Sequence, residues 1–310
     1  MGMDIAGIMT GLASGLLWGM NNAVFAAGFP AFATDGGGTA DGLFPLAGAA
    51  INDVWAALAL LMWYTARGRL RAFWRQWRCR QSRLIIAAAL LGGPIGQACY
   101  ALGVIWAGPS YALVITATYP VLGCLLAKVI LHQSMQKRMW IGTVLAAFGA
   151  ILAGYVPAQS PHTLAGLLVS AVAACCWASE IVLASWGMQT MEPEAAITFR
   201  EVISGTVLTL LALFMLPGEG IEPAHLLAGA AQAHILWLAG ALAGFSYLFY
   251  YRANHRLGCA RGMATNATYI IWGVALNVCF SGAALQPFEL LGCGLVFAGV
   301  LLTAFCQAEA

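Results

Sequence analysis

The feature that most constrains this chain is a succession of ten apolar stretches, each close to the ~20 residues an α-helix needs to cross ~30 Å of hydrocarbon. They cover about residues 5–28, 43–66, 84–107, 109–131, 138–156, 164–188, 195–216, 233–252, 260–281 and 288–306. Lipid offers no water to satisfy backbone N–H and C=O groups, so stretches of this kind must be helical. Composition agrees: 61% of the 310 residues are hydrophobic and 8% are charged, against roughly 25% charged in soluble chains. The expected fold class is an all-α integral membrane protein of ten transmembrane helices. Met1-Gly2-Met3-Asp4 lacks the basic region of a signal peptide, so the first stretch is expected to be a retained helix.

Orientation follows from the basic residues. Arg67, Arg69, Arg71, Arg75, Arg78, Arg80 and Arg83 crowd the connection after the second stretch. Lys128, Lys137 and Arg138 flank the one after the fourth, and Arg252, Arg256 and Arg261 the one after the eighth. The odd-numbered connections hold no Lys or Arg, so thirteen of the fourteen basic residues sit on one side and only Arg200 departs. That side is expected to be the cytoplasm, with both termini. Trp74 and Trp77 lie among the arginines. This mixture would also suit nucleic acid, but interfacial tryptophans beside anionic headgroups explain it more simply, and no nucleic-acid partner is expected.

The chain repeats itself. Gly108, Ala117-Thr118-Tyr119, Gly123, Gly142 and Gly149 recur at an offset of 150 as Gly258, Ala267-Thr268-Tyr269, Gly273, Gly292 and Gly299. Ala6-Gly7, Trp18 and Gly28 recur at an offset of 159 as Ala165-Gly166, Trp177 and Gly187. Residues 1–157 and 158–310 are thus expected to be two five-helix repeats forming one transport unit. Five is odd, so the copies enter the membrane in opposite directions, an architecture that places substrate sites at the repeat interface of many secondary transporters. Gly7, Gly11, Gly15 and Gly19 form a small-residue stripe for close packing. Gly92-Gly93-Pro94-x-Gly96 and Pro120 can break or kink their helices.

Asp53, Glu180 and Glu201 are acids deep in apolar stretches, and Arg200 is the base at comparable depth. Such residues are expensive in a membrane and mark functional sites by default. The repeat sets Asn52-Asp53 opposite Arg200-Glu201 and Asn21 opposite Glu180. Pro193 between Glu192 and Glu194 reads as a helix start, which puts Arg200 roughly 10 Å into the helix. Arg200 therefore needs an acid, Asp53 or Glu201, as a structural or gating pair, which leaves Glu180 for a substrate. Three acids and one arginine leave two formal negative charges for protons, a cation or a cationic substrate to balance. Trp177 stands three residues before Glu180, on the same helical face. An indole and a carboxylate sharing one space suit an organic cation, because aromatic faces attract quaternary ammonium groups that cannot donate hydrogen bonds. Trp18, Trp177, Tyr119, Tyr269 and Trp272 form the expected cage, with Asn21, Tyr100, Tyr247 and Tyr250 near it.

Enzyme classes find no support. There is no Gly-rich phosphate loop, G-x-S-x-G, H-E-x-x-H or C-x-x-C, and the five histidines fall at segment ends or in connections. The nine cysteines read as reduced packing residues. No cofactor or metal is expected.

Trp18, Tyr119-Pro120 and Gly142…Gly149, set in two five-helix repeats, resemble the EamA type of the drug/metabolite transporter superfamily over nearly the whole chain. His132-Gln133 stands where many members have Gly-Glu. Within the superfamily the chain is most similar to the LicB-type bacterial choline permeases. The likeness rests on Gly11-Leu12-x-Ser14-Gly15-x-x-Trp18-Gly19, Gly93-Pro94-Ile95-Gly96, Trp177-x-Ser179-Glu180-x-Val182-Leu183 and Tyr269-x-x-Trp272. Position 201 is Glu where that pattern has Gln. The resemblance implies uptake of choline or a related quaternary amine through an aromatic, acidic pocket, with proton exchange at Glu180 open. A second expectation is an exporter of amino acids or amphipathic drugs, with Arg200 holding the substrate carboxylate. A third is a membrane scaffold or partner subunit.

Overall fold

A computed structural model describes residues 4–35, 43–154, 163–281, 284 and 286–305. The glycine-rich connection after Asp35, the 157/158 repeat junction, the first three residues and Cys306 lie outside the described residues. The first half runs α1 (Ile5–Asp35), α2 (Pro45–Ala66), a short α3 (Leu70–Gln76) among the arginines, α4 (Ser82–Leu90), a π-helical turn (Leu91–Ile95), α5 (Gly96–Ala107), α6 (Pro109–Thr116), α7 (Tyr119–Ile130) and α8 (Lys137–Gly154). The second runs α9 (Thr163–Gly187), α10 (Pro193–Met215), a short α11 (Pro223–Gln232), α12 (His234–Leu257), α13 (Cys259–Asn266), α14 (Tyr269–Ser281) and α15 (Pro287–Ala304).

The fold is all-α, and helices occupy all ten expected stretches. Six helical stretches are individually long and apolar enough to cross a membrane, and a seventh is added if α11 and α12, bent by 74°, count as one. The remaining stretches are diluted by polar residues: Asn21-Asn22 in α1, Lys137-Arg138 opening α8, and Arg261 and Asn266 in α13.

Local sequence explains the breaks. Pro120 opens α7 instead of kinking a continuous helix, because a helix start has no N–H to lose. The equivalent break between α13 and α14 lacks a proline. Both share a threonine whose hydroxyl donates to the carbonyl three residues back: Thr118 to Ile115 at 2.6 Å and Thr268 to Thr265 at 2.9 Å. Pro193 begins α10 as expected, after an extended Glu192.

The helices meet through glycine. A Cβ on Gly7, Gly11, Gly15 or Gly19 would stand 2.7, 1.9, 2.2 or 2.6 Å from Leu257, Thr265, Thr268 or Trp272, so the stripe on α1 is its seam with α12, α13 and α14. Gly142 abuts the Gly299 carbonyl and Gly149 the Gly292 carbonyl, so α8 and α15 run antiparallel through one another's repeat equivalents.

The basic connections gather at one end of the molecule. There Arg69 donates to both oxygens of Glu192 at 2.8 Å, Arg252 pairs with Glu194, Arg256 binds Asp4 at 2.9 Å, and the Cys259 N–H donates to Gln133 at 3.1 Å. Arg256 and the Gly7 N–H hold the Asp4 carboxyl below the usual carboxylate range.

Candidate functional site

The site begins with Arg200 on α10, which is 1% exposed. Its Nε donates to Glu180 Oε1 on α9 at 2.7 Å, and its Nη1 donates to Glu201 Oε1 at 2.9 Å and to Asp53 Oδ2 on α2 at 3.2 Å. The Ser204 hydroxyl donates to Asp53 Oδ2 at 2.5 Å, and the Tyr251 hydroxyl to Glu180 Oε1 at 3.3 Å. Glu201 Oε2 is buried and has no hydrogen-bond partner among the described residues. The expectation that Arg200 takes Asp53 or Glu201 and leaves Glu180 free is therefore corrected: Arg200 takes all three. A guanidinium carries five donors in a fixed fork, and the fold brings α2 and α9 to opposite sides of it. The formal excess of negative charge persists around this one base.

The backbone accommodates the cluster at the π-helical turn. A Cβ on Gly92 would lie 1.7 Å from Glu180 Oε2, and one on Gly93 would lie 1.9 Å from the Ser204 hydroxyl. The Trp177 indole N–H donates to the Gly92 carbonyl at 3.0 Å, which fixes the ring beside Glu180. The Gly-Gly-Pro run is thus a place where backbone approaches side chains that carry charge.

Next to the cluster lies a cavity of about 330 Å³. Trp18, Tyr100, Tyr119, Trp177, Tyr247, Tyr250 and Tyr269 line it, together with Glu180 and Arg200. Ring centroids lie 5.5 Å apart for Tyr100 and Trp177, 6.3 Å for Tyr119 and Trp177, and 4.8 Å for Trp18 and Tyr247. The Arg200 guanidinium sits 5.0 Å from the Tyr247 ring centre. Such a chamber can hold a small organic cation against π-faces, with the Glu180 carboxyl at its edge.

Four expected site residues do not line this cavity. Asn21 donates to Asn52 Oδ1 at 2.7 Å and to the Ala239 carbonyl at 2.8 Å, while its neighbour Asn22, one turn after Trp18, faces the space. Trp272 packs its β-carbon near Gly19 and is 41% exposed on the outside of the bundle. Asp53 and Glu201 stand behind Arg200, away from the cavity wall. Residues that sequence reasoning passed over are Asn22, Gln97, Thr116, Ser246 and Asn266. Part of the signal was present: Gln97 and Tyr247, and likewise Thr116 and Asn266, are related by the same offset of 150.

The Asn21–Asn52 hydrogen bond and the Glu180–Arg200 ion pair occupy equivalent places in the two repeats, one neutral and one charged. The family model described as the EamA-like transporter family matches residues 6–155 and again residues 164–305. Protein LicB of Haemophilus influenzae is 29% identical over 223 residues, which span 72% of this chain and 75% of LicB. A solved crystal structure of a protein 16% identical to this chain has a TM-score of 0.70 over 96% of each, a likeness of fold.

Proposed function

Since the chain belongs to the EamA-like transporter family, we propose that it carries choline or a related quaternary ammonium compound across the bacterial cytoplasmic membrane, as an uptake system with both termini in the cytoplasm. The observation that carries this reading is the pairing of an aromatic-walled cavity with an acid cluster whose one arginine is already engaged. A trimethylammonium head needs π-faces and a negative field, and seven aromatic residues with Glu180 supply both. The likeness to LicB supports the same choice. The antiparallel contact of α8 with α15 supports two inverted repeats that rock about a central site, the alternating-access scheme of such carriers.

The amino-acid exporter reading needs a cation for the substrate carboxylate. Arg200 already faces three carboxyl groups, so a fourth anion would meet more repulsion than attraction. Protons remain the natural coupling ion, because the cluster needs positive charge whenever the cavity is empty.

Thermal unfolding of the purified chain tests the proposal. Choline is expected to raise the melting temperature and tryptophan or betaine to leave it unchanged. Trp177→Leu and Glu180→Gln are each expected to abolish the choline effect. Stabilisation by zwitterions without any response to choline would sink the proposal.

A further inference from the structure

We infer that residues 67–83 form a binding site for anionic phospholipid headgroups, and that its occupation steadies the start of α10. The inference rests on membrane placement and stands whichever substrate the cavity takes. The segment holds seven arginines and no acid. Arg69 is occupied by Glu192, and Arg67 lies over the Trp63 ring at 3.9 Å. Arg71, Arg75, Arg78, Arg80 and Arg83 are exposed, and among the described residues none has an acidic partner. Trp74, 55% exposed, points out from the same short helix. Because α3 lies between the end of α2 at Ala66 and the start of α4 at Ser82, it is held at headgroup depth, where an indole and guanidinium groups both find partners.

The inner face of α3 separates this from a charge run that only sets topology. Phe73 is buried and stacks on Phe199 with centroids 4.2 Å apart, and Trp77 meets the same ring at 4.6 Å. The Gln76 side-chain oxygen accepts the Glu192 N–H at 2.9 Å. Phe199 directly precedes Arg200. A topology signal needs positive charge alone, whereas α3 is clamped through aromatic rings to the helix that carries the buried cluster. A headgroup drawn to its outer face would press that clamp shut. The segment's tether between two spans favours the bilayer's own phosphates over a nucleic acid, which would have to displace them.

The test uses the full chain in nanodiscs of phosphatidylcholine alone or mixed with phosphatidylglycerol, read by hydrogen exchange at residues 70–77 and 193–200. Phosphatidylglycerol is expected to slow exchange in both windows, and the effect is expected to weaken with added salt. Each arginine removed should lower headgroup binding by about fivefold. Replacing Arg71, Arg75, Arg78 and Arg80 together by Gln should therefore erase the response, while replacing the same four by Lys should keep most of it and shows that the chain still folds. Identical exchange of the native chain in both lipids would overturn the inference. So would an undiminished response in the Gln variant, or an equal response to inorganic phosphate or to an oligonucleotide in phosphatidylcholine.

Discussion

At Gly92 the π-helical turn runs so close to Glu180 that one added methyl group would stand 1.7 Å from the carboxyl oxygen. Overpacking of this kind usually costs about 1–3 kcal/mol, and here the atom displaced belongs to the charged cluster. Gly92→Ala is therefore expected to lower the melting temperature and also to remove stabilisation by choline. Gly218→Ala, where no described residue lies within 4 Å, should change neither. A second residue-level contrast concerns the cluster. Arg200→Leu leaves three buried carboxyl groups without a base and is expected to cost about 3–5 kcal/mol. Glu201→Gln keeps the acceptor that meets Arg200 and relieves excess charge, so it should cost less than about 1 kcal/mol by thermal unfolding. The need of Arg200 for an acid partner could be read from its depth alone. Its choice of three could not, because it depends on how α2 and α9 pack around α10. The same limit applied one residue along α1: the repeat flagged Asn21, and helix rotation turned Asn22 to the cavity.

Among the elements, α8 and α15 show how far pattern carries structure. Gly142, Gly149, Gly292 and Gly299 were visible as a recurring spacing, and the fold uses them as one antiparallel seam in which backbone meets backbone. A Cβ on Gly299 would lie 2.4 Å from the Gly142 carbonyl, whereas one on Gly294 would meet no described residue within 4 Å. Gly299→Val is accordingly expected to destabilise the chain by about 1–3 kcal/mol and Gly294→Val hardly at all, both measured by thermal unfolding. The breaks between α6 and α7 and between α13 and α14 were legible only in part. Pro120 announced the first, but the second depends on a threonine hydroxyl competing for a backbone carbonyl, which many unbroken helices also contain. Helix α3 is too short for any periodicity to reveal, and the 74° bend at Ala233 carries no proline or glycine to mark it.

In the whole molecule, the repeats share their glycine seams and their helix breaks after Thr116 and Asn266, and they differ in charge. Asn21 with Asn52 fills the place that Glu180 with Arg200 fills in the other half, so one repeat sets a neutral hydrogen bond where the other sets an ion pair. A packed layer separates that cavity from the basic end: it runs from Phe73, Met188 and Cys259 to Ile181 and Tyr250 at the cavity wall. Beyond it, Arg69 of the first half bridges to Glu192 and Glu194 of the second. If the halves rock, this end must part, and the bridge should bias how often it does. Both partners are partly exposed, so the bridge is worth roughly 0.2–1 kcal/mol. Cys259 is a suitable reporter, because it is fully buried and its thiol lies 3.2 Å from the Ser185 hydroxyl at the start of that layer. With the other cysteines replaced by serine, Arg69→Glu is expected to speed maleimide labelling of Cys259 by about two- to fivefold. Adding Glu192→Arg should return the rate towards that of the parent. Equal labelling in all three would mean that this end is held shut by the aromatic layer alone.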